Sequence, residues 1–134
     1  MKVFIYGTLK RGFALHDKGL GNSKYIGDVV TVEPYPLLIA ASFFGPMMLQ
    51  QPGTGFRVAG ELFEVPEEDL PLLDKLEDVG TEGSFRAMLQ VQAVGGGLVH
   101  DAVGFLKDET WLDPIHSDFL STYNDRRFIP PWDR

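Results

Sequence analysis

The sequence contains no cysteine in its 134 residues. Disulfides, thiolate metal sites and cysteine nucleophiles are therefore excluded. It has no apolar run approaching the roughly 18 residues of a membrane-crossing helix, so no membrane partner is expected. Histidine is scarce. His16, His100 and His116 are scattered, with no pair at metal-ligand spacing, and no metal is expected. Positive charge is also short. Twelve Lys and Arg stand against 19 Asp and Glu, a net charge of −7. Such a surface repels phosphate backbones, so nucleic acid is not an expected partner. None of Ser23, Ser42, Ser84, Ser117 and Ser121 lies in a Gly-x-Ser-x-Gly elbow. The start, Met-Lys-Val-Phe-Ile-Tyr, is too short for a signal-peptide core and soon meets Lys10-Arg11, which points to the cytoplasm.

What remains is enough apolar material to fold. At 44% hydrophobic and 23% charged, the chain suits one globular domain over residues 1–134, with 121–134 as an extended tail. Lys2–Tyr6 reads as a strand rich in β-branched and aromatic residues. A short helix is expected around Leu15–Leu20. A second strand, Tyr25–Val32, is expected to stop before Pro34 and Pro36, since proline cannot donate to a ladder. Leu37–Ala40 is a third short strand. Phe43–Pro46 and Gln50–Gly55 read as turns.

Phe56–Val65 is a further strand. Pro66-Glu67-Glu68-Asp69 opens a helix, with proline in the first turn and acids where the N-terminal dipole favours them. Leu70, Leu72, Leu73 and Leu76 give it an apolar face, and Gly80 would end it. Phe85–Val94 and Leu98–Leu106 flank Gly95-Gly96-Gly97 as a hairpin. Trp111–Leu120 is expected to hold a short helix, and Phe128–Trp132 to be extended. The fold class is α+β: a small mixed β-barrel of about six strands with flanking short helices.

Two segments carry chemistry. The first strand breaks at once into Gly7-Thr8-Leu9-Lys10-Arg11-Gly12. A strand opening into a glycine turn presents backbone N–H groups that can wrap an anion. The loop lacks the Gly-x4-Gly-Lys-Ser/Thr spacing of a nucleotide-binding loop. The second segment ends at Glu77, seven residues after Leu70 and four after Leu73, on the core-facing stripe of the helix. A carboxylate there needs a partner or a pocket. Glu61, mid-strand and opposite in alternation to Leu62, is the rival carboxylate.

Taken together, Tyr6-Gly7-Thr8-Leu9-Lys10-Arg11-Gly12 and Leu73-Asp74-Lys75-Leu76-Glu77 resemble the paired motifs of the gamma-glutamylcyclotransferase-like superfamily. Within it the likeness is to the gamma-glutamylamine cyclotransferase and AIG2-like branch. Val58–Val65 looks like that family's strand, and the resemblance spans roughly residues 1–107 in order. It implies an enzyme that needs no cofactor and acts on a small gamma-glutamyl substrate. The substrate's α-amine would attack its own γ-carbonyl, releasing 5-oxoproline and a free amine. It assigns Glu77 as general acid and base, and Tyr6, Gly7, Thr8 and Leu9 as the substrate-binding loop.

The chain departs from the pattern where the family has a proline and a tyrosine between the glutamate and an arginine. Here Val79–Phe85 intervenes, and Phe85 keeps the ring without the hydroxyl. The amine half of the substrate is thereby left open. A non-catalytic small-molecule binder on the same fold, or an interaction module using Phe128–Trp132, is the alternative. The sequence does not set an oligomeric state.

Overall fold

A half-solvated strand alternates apolar and polar residues, but Val3-Phe4-Ile5-Tyr6 is apolar throughout. In the computed structural model, which describes residues 1–134, both faces of this strand are covered. Phe4 and Tyr6 belong to one buried cluster and Val3 and Ile5 to another. The strand, β1 (Lys2–Ile5), is followed by a one-turn helix, α1 (His16–Gly19). Next come β2 (Lys24–Tyr35), β3 (Leu37–Ala40), β4 (Gly45–Met48) and β5 (Phe56–Glu64). Helix α2 (Leu70–Leu76) leads to β6 (Ser84–Ala93) and β7 (Val99–Lys107).

Five strands close a barrel in the order β1-β5-β2-β6-β7, and β3 and β4 form a separate two-stranded ladder. Closure is parallel, with Val3 opposite Val103, while the other barrel pairs are antiparallel. The architecture is the expected mixed barrel with short helices. Its interior holds Phe4, Val58, Leu62, Leu89, Val91 and Leu106. A second core, with Leu9, Leu15, Phe63, Leu70, Leu73 and Phe105, lies between barrel wall and helices. Each leucine buried there contributes about 1.5–3 kcal/mol by the apolar area it withdraws from water. No helix is long and apolar enough to cross a membrane.

Three local expectations are corrected. Pro34 does not stop β2, which runs on to Tyr35. Pairing of β2 with β6 ends at Thr31, so the missing N–H of Pro34 breaks no bond in that ladder. The register against β5 shifts between Val30 and Pro34. There the Thr31 hydroxyl, fully buried, accepts from Val58 N at 2.8 Å and donates to Glu33 O at 2.6 Å.

The stretch around Phe43–Pro46 is not only turn. Gly45–Met48 forms β4 against β3, because Met47 and Met48 continue an apolar run that must be buried. Residues Trp111–Leu120 form no helix beyond a 3-10 turn at Glu109–Trp111. Instead His116 N donates to Ile39 O at 2.8 Å and Leu120 N to Leu37 O at 2.7 Å, so the segment covers the edge of β3. The 121–134 segment docks on the body. Tyr123 is 1% exposed, and Ile129 N donates to Phe43 O at 2.9 Å.

Candidate active site

The site is built on the C-terminal end of α2. Val79 N donates to Asp74 O at 2.8 Å and Asp78 N to Lys75 O at 3.3 Å, the paired bonds of a Schellman cap. The left-handed position of that cap is filled by Asp78 at φ 60°, so the helix stops two residues before the expected Gly80. A non-glycine residue in this conformation carries strain, which recurs at functional sites. The cap leaves Glu77 as the last residue before the chain reverses. On the same helix, Asp74 is fastened to β6 by Arg86, with Nε 3.1 Å from Oδ1.

Glu77 is set apart from Glu64, Asp108 and Asp125, whose pKa values are lowered, by a shift in the upward direction. Only one fifth of its side chain is exposed. Burial pushes its pKa up from 4.5; the Lys107 charge opposes the shift and the Asp78 charge adds to it. The carbonyls at the end of a helix act in the same upward direction. Lys107, the last residue of β7 and 4% exposed, has its Nζ 3.8 Å from Glu77 Oε2. Nζ also donates to the Glu77 carbonyl at 2.6 Å and to Ser84 Oγ at 2.8 Å. Ser84 Oγ itself donates to the Glu77 carbonyl at 2.8 Å. Burial pushes the lysine pKa down against the attraction of Glu77.

The loop after β1 faces this carboxylate across a cavity. Thr8, Glu77, Lys107, Trp111, Phe128 and Arg134 are among its walls, and it holds about 40 Å³. Two bonds shape the loop: Lys10 N to Gly7 O at 3.0 Å and Leu15 N to Thr8 O at 2.9 Å. The amides of Gly7, Thr8 and Leu9 donate to no main-chain oxygen. Gly7 is required by proximity, because a Cβ there would lie 2.7 Å from Pro46 Cγ.

Of the five residues expected from the sequence, Glu77 and Thr8 therefore border one cavity, with Gly7 packed beside it. Tyr6 and Leu9 are placed beneath the loop instead. Tyr6 is 5% exposed and its hydroxyl donates to Phe105 O at 2.7 Å, while Leu9 is fully buried. Burial and the charge of Glu77 raise the Tyr6 pKa. Glu61 lies away from this cavity and accepts from Arg11 N at 2.9 Å and Arg11 Nε at 3.2 Å. Phe85 packs against the barrel interior.

Sequence reasoning did not single out Lys107. A lysine closing a strand reads as a solvated end. Its one signal is that it directly follows the apolar run Val103–Leu106 with no turn residue between. The roles of Phe128 and Arg134 as cavity walls depend on tertiary docking and have no local signature.

A family model described as "Gamma-glutamyl cyclotransferase, AIG2-like" matches residues 3–119. The chain is 42% identical over 134 residues to a gamma-glutamylaminecyclotransferase of Mus musculus, a match covering 97% of this chain and 81% of that protein. It is 36% identical over 117 residues to gamma-glutamylaminecyclotransferase B of Danio rerio, covering 84% of this chain and 61% of that protein. The match thus spans less than two thirds of the Danio rerio relative. Among solved structures, the crystal structure of an AIG2-like protein from Mus musculus superposes with a TM-score of 0.86 at 31% identity. That superposition covers 99% of this chain and 97% of the other.

Proposed function

The chain belongs to the AIG2-like gamma-glutamyl cyclotransferase family, and from that premise we propose that it converts gamma-glutamylamines to 5-oxoproline and a free amine. The observation that carries this reading is the shared cavity of the Glu77 carboxylate and the Thr8 loop. Nucleophile and electrophile lie in one substrate molecule, so holding it folded supplies much of the rate. The remaining work is proton transfer and charge stabilisation.

Glu77 takes a proton from the substrate α-ammonium, and the freed amine attacks the γ-carbonyl carbon. A C–N bond forms and the carbonyl oxygen becomes an oxyanion. The unpartnered amides of Gly7, Thr8 and Leu9 are donors for that oxyanion and for the substrate α-carboxylate. Glu77, now neutral, gives its proton to the departing nitrogen, and the original C–N bond breaks. Two protons pass in all from the attacking to the leaving nitrogen, each by way of the one carboxylate, and the amine leaves protonated.

The raised pKa of Glu77 suits this cycle. A carboxylate near its ordinary value is a weak base, and burial brings it toward operating pH. Lys107 holds the Glu77 main chain, and its charge opposes the upward shift of the carboxylate. Tyr6 and Leu9 act from beneath, fixing the loop through the core. Residues 1–134 work as one domain in this reading, because cavity walls come from Thr8 and Arg134 alike. A chain without cysteine fits a reducing compartment such as the cytoplasm.

The test is release of 5-oxoproline from gamma-glutamyl amines, gamma-glutamyl dipeptides and glutathione by the purified protein. Turnover of the amines ahead of the other two classes is expected. Absence of 5-oxoproline from all three classes overturns the reading.

A further inference from the structure

The cavity that Glu77 shares with Thr8 is also walled by three aromatic rings, Phe43, Trp111 and Phe128. The chemistry described above uses the carboxylate and the loop and leaves these rings without a task. Phe43 meets both of the others edge-on, with centroids 6.4 Å from Trp111 and 6.2 Å from Phe128. The Trp111 ring already faces a cation, since Lys107 Nζ stands 5.2 Å from its centroid. Phe43 and Phe128 share a different one. The guanidinium carbon of Arg134 lies 3.8 Å from the Phe43 centroid and 5.7 Å from that of Phe128.

Ring faces attract cations through their quadrupole. A carboxylate stands with them. Asp78 borders the same cavity, and no side chain or amide of the protein bonds to its carboxylate. Burial pushes the Arg134 pKa down, and the charge of Asp78 opposes that shift. Two ring faces and an uncommitted anion therefore hold one guanidinium.

The hold is slight. Arg134 is the last residue, exposed, and its side chain makes one hydrogen bond, from Nε to the Ile129 carbonyl at 2.9 Å. The cavity of about 40 Å³ has room for only a few waters. The amine half of a substrate needs a wall to give way, and this side chain is held least by the body. With it swung out, the carboxylates of Asp78 and Glu77 face one buried cation, Lys107, which is spent on Glu77 and Ser84. The unmatched charge is negative.

We propose that Phe43, Phe128 and Asp78 form the subsite for the leaving amine. It selects amines that carry a second positive charge away from the scissile bond, as diamines do, and Arg134 fills it in the free protein as an internal stand-in for that charge. This rests on the cyclotransferase reading.

The test compares gamma-glutamyl derivatives of putrescine, cadaverine and diaminohexane with the alkylamine derivatives in which a methyl replaces the distal ammonium. For at least one pair kcat/KM should favour the cationic member by about 10-fold, the order of a desolvated cation–ring contact. Asp78→Asn, which suits the left-handed backbone at φ 60°, and Phe43→Leu should each shrink that ratio. The ratio cancels any effect on Glu77, which serves both members alike. Arg134→Ala should lower KM for the diamine derivative, because the internal competitor is gone. A ratio near one for every pair overturns the subsite, as does a ratio that neither Asp78→Asn nor Phe43→Leu moves. In both cases the neutral amines still yield 5-oxoproline, so the cyclotransferase reading stands. A rise in KM in Arg134→Ala makes Arg134 a binding residue and overturns its role as stand-in. Release of 5-oxoproline from no member of the series overturns the cyclotransferase reading and the subsite with it.

Discussion

Lys107 holds Glu77 at both ends: its Nζ donates to the Glu77 carbonyl at 2.6 Å and stands 3.8 Å from the carboxylate of the same residue. One buried cation thus anchors the carbonyl at the capped helix end and bears on how readily the carboxylate of the same residue ionises. Burial and Asp78 raise the Glu77 pKa, and Lys107 alone among the named causes lowers it.

Replacing Lys107 by methionine removes that opposition. The acid limb of the kcat/KM profile, which reports ionisation of the base in the free enzyme, is expected to move to higher pH. Full pH profiles of parent and variant decide the matter. A limb that stays in place separates Lys107 from the titration of Glu77.

Glu77→Gln keeps the shape of the side chain and removes its proton chemistry. Turnover should fall by about 10²–10⁴-fold, with the circular dichroism spectrum unchanged. Stability gives a second check. A carboxyl whose folded pKa is raised above 4.5 contributes stability that is complete below 4.5 and is lost as pH rises through the folded value. Across that interval the parent should lose stability relative to the Gln variant. Wild-type turnover in the Gln protein would sink the assignment.

Gly7→Ala places a Cβ 2.7 Å from Pro46 Cγ. A proline ring cannot swing aside as a flexible chain can, so the loop or β4 must shift. Denaturant titration should show a loss of about 1–3 kcal/mol. KM should rise in the same protein, since the loop amides move with Gly7, and Gly7→Val should exceed Ala in both respects. An unchanged KM would detach the loop from substrate binding.

Thr31→Val tests the barrel apart from the site. It keeps the volume but strips the Val58 amide of its acceptor and the Glu33 carbonyl of its donor, both at a buried register shift. A loss of about 1–3 kcal/mol is expected, with KM unaltered. Stability equal to the parent's would mean that water replaces the hydroxyl.

The parts legible in the sequence were those with local causes. β1, β5, the α2 stripe and the three-glycine hairpin follow from periodicity and turn residues, and the likeness of Gly7-Thr8-Leu9 and Leu73–Glu77 to a family pair pointed to two segments that border one cavity. The parts missed were decided by partners distant in sequence. Pro34 remains in a strand because β6 has already stopped pairing at Thr31. Gly45–Met48 becomes a strand because β3 is there to receive it. Residues around His116 forgo a helix to bond Ile39 and Leu37. Lys107 is buried by its neighbours on β6 and α2, which no window around it shows.

Phe128 and Arg134 wall the cavity that begins at Thr8, and this bears on when activity arises during synthesis. A nascent chain that has emerged through β7 holds Glu77, Lys107 and the Thr8 loop, and can close its barrel. It still lacks one side of the cavity. On the proposed reading, a substrate would meet the complete cavity only once residues 128–134 have docked on the body.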